Sequence, residues 1–281
     1  TGSNSFDIAS SLVEASITIH VTSVDDRPSM RILDDHVYIS PLEDTPYHMK
    51  NAINVHDFDL ISGEDNVNVA ISATKGNLSV NVTSYFVKAK GLGTKYLVLN
   101  GPVSLVAESL AEGVSYIADQ DENGADVIKF KAHGIDTTTA ELSAQVIVDI
   151  QPINDSPIIT APASFRTDED VVLNINGVGL FDVDANELFG SVVELTISVN
   201  HGSISPASFA GVRMVQDGVY RGGIKELNAA FTNIKYVPHK HWHGMETLSL
   251  TLDDLGNHGG GNAKNTSAII AIEVTSINDS P

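Results

Sequence analysis

The chain of 281 residues is 42% hydrophobic, and its 36 acidic side chains against 16 basic ones give a formal net charge of −20. The length fits two ordinary domains or one large one, and no apolar run is long enough to cross a membrane. The acid excess argues against nucleic acid and anionic membrane surfaces as partners, whereas hard cations, which prefer oxygen ligands, could neutralise part of it. The absence of Cys excludes Cys-ligated zinc, thiol redox chemistry and Cys nucleophiles.

Three similar segments punctuate the chain. Each is a run with apolar residues at alternate positions, typical of a β-strand, followed by a turn that ends in Pro. They are residues 17–28 (ITIHVTSVDDRP), 145–157 (QVIVDIQPINDSP) and 269–281 (IIAIEVTSINDSP). This punctuation predicts that residues 1–28 are the last strand or strands of a preceding repeat, that 29–157 form one repeat, and that 158–281 form another ending in a linker motif. We therefore expect a stretch of a longer array.

The segments between these motifs also match one another. Residues 67–80 and 193–206 each place a Gly between two alternating runs, which predicts a β-hairpin with Gly in its turn. Residues 116–130 match 236–250, pairing Tyr116 with Tyr236, Gly124 with Gly244 and Ile128 with Leu248. Helix-like spacing occurs at 104–116 and 225–236, where we expect short turns between strands. Strand signals dominate elsewhere and favour a β-sandwich.

Acidic residues recur at equivalent places in the two repeats. The shared positions are a linker acid, an early acidic pair, an Asp-x-Asp and, in the second repeat, a late Asp-x-Gly. The residues are Asp25–Asp26 and Asn154–Asp155, Glu43–Asp44 and Glu169–Asp170, Asp57/Asp59 and Asp182/Asp184, and Asp254. A single such motif is typically a solvated turn. Recurrence in register instead favours calcium, which takes six to eight oxygen ligands at about 2.3–2.6 Å.

Together these motifs resemble the calcium-binding signature of cadherin and cadherin-like repeats, and the chain looks most like the cadherin-like tandem repeats of large adhesins and extracellular filament proteins. The resemblance covers essentially the whole chain. It implies an all-β fold of tandem Greek-key β-sandwich repeats, cadherin- or immunoglobulin-like, in an end-to-end array. It also implies Ca²⁺ at the junctions, where the ions would hold neighbouring repeats at a fixed angle.

The resemblance assigns candidate metal ligands to two junctions. The second junction would use Asn154, Asp155, Glu169, Asp182, Asp184 and Asp254, and the first would use Asp25, Asp26, Glu43, Asp57 and Asp59. Some family positions are lost. Ser23, Pro152 and Ser276 stand where the family's linker begins with Asp, the family's L-D-R-E run is not evident, and the first repeat lacks the late Asp. We therefore expect fewer ions per junction than in a full cadherin set, and a weaker first junction.

Two other features bear on function. Asn77, Asn81 and Asn265 lie in N-glycosylation sequons and are candidate glycosylation sites. The sequence PHKHWHG places His239, His241 and His243 at alternate positions, so a strand would present all three on one face, where a transition metal could bind. An exposed histidine-rich turn or strand edge is the favoured interpretation.

No catalytic anchor such as G-x-S-x-G, H-E-x-x-H or a P-loop occurs, and the paired acids sit in recurring motifs, so we expect no enzyme. We predict a secreted or cell-surface segment of a structural or adhesive rod whose junctions calcium stiffens. Its partners would be neighbouring repeats of the same longer chain and, in adhesion or a filament, other copies. Two alternatives remain open: a calcium-independent subunit of a glycosylated extracellular filament, and a carbohydrate-binding module of a larger enzyme.

Overall fold

The computed structural model describes residues 16–21, 29–56, 66–134, 142–187, 190–256 and 259–278. The first part of this structure, ending at residue 150, consists of short strands, one helix and a single 3-10 turn at Asp34–His36. The strands are β1 Ser29–Ile32, β2 Tyr38–Ile39, β3 Tyr47–Met49, β4 Ile53–His56, β5 Asn66–Ser72, β6 Gly76–Val80, β7 Lys88–Lys90, β8 Tyr96–Pro102, β9 Val114–Ala118, β10 Gly124–Gly134 and β11 Leu142–Ile150, and α1 is Val103–Glu112.

The second part repeats this series and adds one short helix. Its strands are β12 Ile158–Thr160, β13 Ser164–Asp168, β14 Leu173–Asn176, β15 Gly179–Phe181, β16 Val193–Ser198, β17 Gly202–Ser205, β18 Arg213–Gln216, β19 Val219–Gly222, β20 Asn233–Pro238, β21 Gly244–Asp253 and β22 Asn265–Thr275. The helices are α2 Val183–Glu187 and α3 Ile224–Phe231. Within the described residues, no helix is long and apolar enough to cross a membrane.

Each part is a β-sandwich with its own core. In the first, a six-stranded sheet (β2-β11-β10-β5-β8-β7) faces a three-stranded one (β3-β9-β6), and β1 pairs with β4. In the second, the equivalent sheets run β13-β22-β21-β16-β19-β18 and β14-β20-β17, and β12 pairs with β15. Alternation explains the packing, since Val67, Val69 and Ile71 of β5 all point inward. The predicted all-β sandwich class is confirmed. We call the two parts the first and second sandwich.

The hairpin prediction at 67–80 and 193–206 was wrong. The strands form, but β5 and β6 belong to different sheets, and so do β16 and β17. The Gly between the two strands lets the backbone lie close to a tyrosine ring at this corner. A Cβ on Gly76 would lie 2.5 Å from the Tyr116 ring, and one on Gly202 would lie 2.5 Å from the Tyr236 ring. Both tyrosines are fully buried, so each corner packs against a tyrosine from the opposite strand.

The segments with helix-like spacing are more than turns. Helix α1 has ten residues and α3 has eight. Each buries one apolar stripe, with Val106 and Leu110 in α1 and Leu227 and Phe231 in α3. Each helix connects the six-stranded sheet to the three-stranded sheet of its own sandwich, and burial against neighbouring strands, chiefly β4 for α1 and β15 and β19 for α3, stabilises a helix too short to form alone.

Candidate cation site between the two sandwiches

The linker between the sandwiches, residues 151–157, is hydrogen-bonded to both of them. The amide of Ile153 donates to Oε1 of Glu43 in the first sandwich at 2.5 Å. On the other side, the amide of Asn154 donates to the carbonyl of Gly260 at 3.0 Å, and the amide of Gly260 donates to the carbonyl of Pro152 at 2.8 Å. The linker is thus fixed by backbone hydrogen bonds to the second sandwich and by a carboxylate to the first.

Gly259 makes this close contact possible. Its φ is +82°, and an added Cβ would lie 2.6 Å from the amide nitrogen of Asn154. Any side chain here would both strain the backbone and push the linker away. The sequence motif does not reveal this residue, because its contact is with a segment far away in the chain.

Three carboxylates from both sides of the linker meet at this junction. Glu43, Asp155 and Asp184 can each place one oxygen within 4.8 Å of the others. Glu43 is 1% exposed and Asp184 is 3% exposed. The amide of Asp155 donates to Oδ2 of Asp184 at 2.6 Å, which ties the linker to the residue pair Asp182–Asp184 at the start of α2. The site therefore combines one residue of the first sandwich, one of the linker and one of the second.

A second group shares one of these carboxylates. Asp44, Asp121 and Asp155 likewise bring one oxygen each within 4.8 Å of the others. Asp44 and Asp121 both have left-handed backbone conformations, with φ of 54° and 57°, and the amide of Asp121 donates to Oδ1 of Asp44 at 3.3 Å. Neither Asp44 nor Asp121 is among the ligands predicted from the sequence. When residues 116–130 are aligned with 236–250, only the first repeat has a run of acidic residues after the strand. This difference was a sequence signal for Asp121.

Asn154 and Asp254 form the side of the site nearest the second sandwich. Nδ2 of Asn154 donates to Oδ2 of Asp254 at 2.8 Å. Asp254 also accepts hydrogen bonds from the amides of Gly256 at 2.7 Å and Lys264 at 2.8 Å. Because Nδ2 of Asn154 donates to this carboxylate, Oδ1 of the same side chain points away from Asp254. The loop after β21 thus orients the side-chain amide of Asn154.

Four buried oxygens at the junction have no hydrogen-bond partner among the described residues. They are Oε2 of Glu43, Oδ1 of Asn154, Oδ2 of Asp155 and Oδ2 of Asp182. A buried polar atom without a partner is costly, and a buried carboxylate oxygen more so. With the three carboxyl groups ionised, all four oxygens can only accept hydrogen bonds or ligate a cation. Oxygen-only donors from carboxylates and an amide are the set that calcium prefers, so the residues present fit this ion.

The electrostatics of these carboxyl groups favour binding of a cation. Burial raises the pKa of Glu43, and the carboxylates of Asp184, Asp44 and Asp155 raise it further, against the lowering effect of the Ile153 amide. Burial and the neighbouring Asp184 also raise the pKa of Asp155.

The pKa of Asp182 is raised in the same way, mainly by burial and also by the charges of Asp184 and Asp254, against the lowering effect of the Ala185 amide. Raised carboxyl pKa values mean that the charged forms repel one another in a poorly solvated space. A divalent cation would relieve this repulsion.

The structure brings together five of the six residues assigned to the second junction, and it places Glu169 elsewhere. Oε1 of Glu169 accepts hydrogen bonds from the amide of Ile277 at 2.7 Å and from the hydroxyl of Ser276 at 2.9 Å, after the end of β22. Asn154 lies beside the loop that precedes β22. A strand of eleven residues separates the two ends by about 30 Å, so Glu169 cannot share an ion with Asn154.

Glu43 occupies the place expected for Glu169. It was assigned to the first junction with Asp25, Asp26, Asp57 and Asp59, but it lies at the linker that follows its own sandwich. Those four aspartates lie outside the described residues, so their assignment stays a prediction.

The remaining candidates occupy separate surfaces. Asn81 and Asn265 are exposed, whereas the side-chain Nδ2 of Asn77 donates to Oδ1 of Asp119 at 3.2 Å. The strand that would have aligned His239, His241 and His243 does not form: these residues lie in the turn between β20 and β21, and His241 has a φ of 59°. Nδ1 of His241 lies 3.3 Å from Oδ2 of Asp170 instead. The favoured interpretation, an exposed turn, describes this segment.

Neither a protein-family model nor a curated protein matches the sequence. Among solved structures, extracellular cadherin domains 1–5 of protocadherin gamma B2 are similar, with 17% identity and a TM-score of 0.41 over 91% of this chain and 42% of that one.

The EC3-6 cis-dimer structure of protocadherin gammaB7 gives 18% identity and a TM-score of 0.39 over 89% and 51%. Mouse cadherin-23 EC22-24 gives 15% and 0.36 over 91% and 68%. The chain spans about half, or less, of the two protocadherin structures. These TM-scores are low, so the all-β assignment rests on the sheets themselves.

Proposed function

We propose that the chain is a structural or adhesive segment of a longer extracellular protein, and that Ca²⁺ bound between its two sandwiches stiffens the junction. The observation that carries the proposal is the set of four buried oxygens without hydrogen-bond partners, contributed by the first sandwich, the linker and the second sandwich. An ion at this place would contact all three parts at once. Its binding free energy would then favour one arrangement of the sandwiches over all others.

Glu43, Asn154, Asp155, Asp182 and Asp184 would hold the ion, with Asp254 orienting Asn154. Calcium takes six to eight oxygens and accepts irregular geometry, which suits ligands drawn from separate segments. Asp44 and Asp121 lie on the more exposed side and would bind a second ion through the shared Asp155. The ion would supply charge neutralisation and cross-linking, and no chemical step is needed.

The setting follows from the same chemistry. Extracellular modules bind calcium with dissociation constants of about 10⁻⁴ to 10⁻³ M, which match calcium concentrations outside cells. A junction that is stiff only with calcium would hold a rod extended in that environment. Neighbouring repeats of the same chain would be its first partners. Glycans at the exposed Asn81 and Asn265 are compatible with this arrangement and stay a prediction.

The test is a calorimetric titration of the chain with calcium, together with small-angle X-ray scattering in calcium and in chelator. We expect binding at or below the millimolar range, a higher melting temperature in calcium, and a narrower distribution of shapes. Asp184→Asn should weaken binding, whereas Asp217→Asn, in the exposed turn between β18 and β19, should not. No binding below the millimolar range, with a melting temperature indifferent to chelator, would contradict the proposal.

A further inference from the structure

Two arginines face each other across neighbouring strands of the second sandwich. Arg213 of β18 is paired directly with Arg221 of β19, and Arg221 is paired in turn with Glu194 of β16. Residues directly opposite each other in antiparallel strands share one face of the sheet, where like charges are destabilising. The row therefore runs Arg213–Arg221–Glu194, with Asp253 of β21 opposite Glu194 on its far side.

The two arginines differ in their partners. Nε of Arg221 donates to Oε2 of Glu194 at 2.6 Å, so its charge is offset within the sheet. Arg213 is exposed and forms no ion pair within the part of the chain that the structure describes. Lys225, in the first turn of α3, likewise makes no ion pair there. Unpaired cations gathered in one place are unexpected in a chain with 36 acidic and 16 basic residues.

These cations line a cleft of about 1160 Å³ between residues 190–192, which precede β16, the β18–β19 pair and the start of α3. Three cations, Arg213, Arg221 and Lys225, face one carboxylate, Glu226, in its lining. Ser191 also lines the cleft, and its Oγ is buried with no hydrogen-bond partner among the described residues. Small-molecule sites typically measure about 300 to 1000 Å³, so the space exceeds what a single inorganic ion needs.

The first sandwich shows that the fold does not require two cations in this row. There, Lys88 of β7 is paired with Asn100 of β8, which is paired with Asn68 of β5. These are the same three strand positions, and Nδ2 of Asn100 donates to Oδ1 of Asn68 at 2.8 Å. A neutral amide pair thus stands where the second sandwich has Arg221 and Glu194. The doubled arginine is a property of one sandwich and not of the architecture.

We propose that this cleft binds a small organic ligand carrying an oxyanion group, a sulfate ester or a carboxylate. The guanidinium of Arg213 presents a planar fork of N–H donors that matches such a group bidentately. Lys225 adds a point charge in the same lining. A bound oxyanion would offset the repulsion between Arg213 and Arg221, which no group in the described chain does for Arg213.

The test measures binding of four probes by NMR titration of the whole chain: inorganic sulfate, glucose 6-sulfate, glucuronate and neutral glucose. We expect both organic anions to shift the side-chain Nε–H signals of Arg213 and Arg221, and glucose to shift neither. Comparing the affinities for glucose 6-sulfate and glucuronate shows whether the cleft prefers a sulfate ester or a carboxylate. Arg213→Gln should weaken binding at least about tenfold, and Arg213→Lys, which keeps the charge without the fork, should weaken it less.

Lys88→Gln changes the equivalent position of the first sandwich and should leave binding unchanged. Each titration is repeated with chelator, since binding through a junction cation would disappear and binding through the arginines would not. Failure of both organic anions to bind at concentrations up to about 10 mM would overturn the proposal. So would binding of sulfate alone, or binding that Arg213→Gln leaves intact while the melting temperature is unchanged.

Discussion

Oε1 of Glu43 accepts the amide hydrogen of Ile153, a residue 110 positions further along the chain, at 2.5 Å. Glu169 stands in the same relation to Ile277, at 2.7 Å. The parallel pairing of β2 with β11 and of β13 with β22 explains both contacts. Parallel strands end at the same edge, so the acid that follows the earlier strand meets the linker that follows the later one. An early glutamate therefore serves the junction behind its sandwich.

The first prediction separates these two glutamates. Glu43→Gln should weaken calcium binding at the central junction by about tenfold or more, because affinity depends on the number of charged ligands. Glu169→Gln is the matched control and should leave the same binding step unchanged. Calorimetry on both variants measures the difference. A weakening by Glu169→Gln equal to that by Glu43→Gln would contradict the arrangement of the junction.

The second prediction concerns pH in the absence of calcium. The pKa values of Glu43 and Asp155 are raised from 4.5 and 3.8, so the folded state holds these protons more tightly than the unfolded state does. Stability then falls as the pH rises from the ordinary carboxyl range through the raised pKa values. The melting temperature in chelator should accordingly increase when the pH is lowered from neutral through the raised pKa values toward the ordinary carboxyl range.

Saturating calcium should flatten or reverse this pH dependence, because protons and the cation compete for the same oxygens. Thermal unfolding followed by circular dichroism at each pH, with and without calcium, makes the measurement. Glu43→Gln is the internal control, since it removes one of the titrating groups and should reduce the slope. A melting temperature in chelator that falls steadily on acidification would count against the raised values.

The third prediction concerns a buried acid that the sequence analysis did not single out. Asp126 is 3% exposed and accepts hydrogen bonds from the Lys75 amide at 2.9 Å and the Tyr116 hydroxyl at 2.9 Å, which fixes the corner between β5 and β6. Burial raises its pKa, but these hydrogen bonds and those from Thr74 and Val127 outweigh burial and lower it.

Asp126→Asn should cost about 2 to 3 kcal/mol, because an amide nitrogen would face backbone donors in a buried place. The sequence has one Trp, Trp242, and it packs in the second sandwich. In Asp126→Asn, the denaturation midpoint followed by circular dichroism should therefore fall, while the midpoint followed by Trp242 fluorescence should not change. Glu246→Gln, the equivalent change in the second sandwich, where Glu246 accepts the His201 amide, should shift the fluorescence transition. Equal effects of both variants on Trp242 would mean that the sandwiches unfold as one unit.

The fourth prediction tests the corner glycine. Gly76→Ala should destabilise the first sandwich by about 2 to 3 kcal/mol, because the new Cβ would lie 2.5 Å from the Tyr116 ring and 2.6 Å from the Ile117 carbonyl. Gly93→Ala is the control: Gly93 has a φ of +73° but nothing within 4 Å, so only backbone strain of about 1 kcal/mol applies. Urea denaturation measures both. A Gly76→Ala cost no larger than that of Gly93→Ala would show that the corner can open.

The sequence predicted the strands and their alternation well, because burial of one face acts on nearby residues. It also paired Tyr116 with Tyr236 and Gly124 with Gly244, which hold equivalent places in the two sandwiches. It could not tell a hairpin from a corner at Gly76, since both need a Gly between alternating runs and the difference lies in the distant Tyr116. Glu169 was assigned to the wrong end for a related reason, because the partner of a parallel strand is not encoded locally.

The two parallel strand pairs also differ in length, and this has a mechanical consequence. In the second sandwich, β13 and β22 pair over five residues, from Ser164 with Ala271 to Asp168 with Thr275. In the first, β2 and β11 pair over Tyr38 and Ile39, with one further parallel bridge between Leu42 and Gln151. A pull along the chain draws the two strands of each pair past one another, so all hydrogen bonds of the pair must break together. Under tension we expect the first sandwich to open at a lower force and lengthen the chain, while the second stays folded.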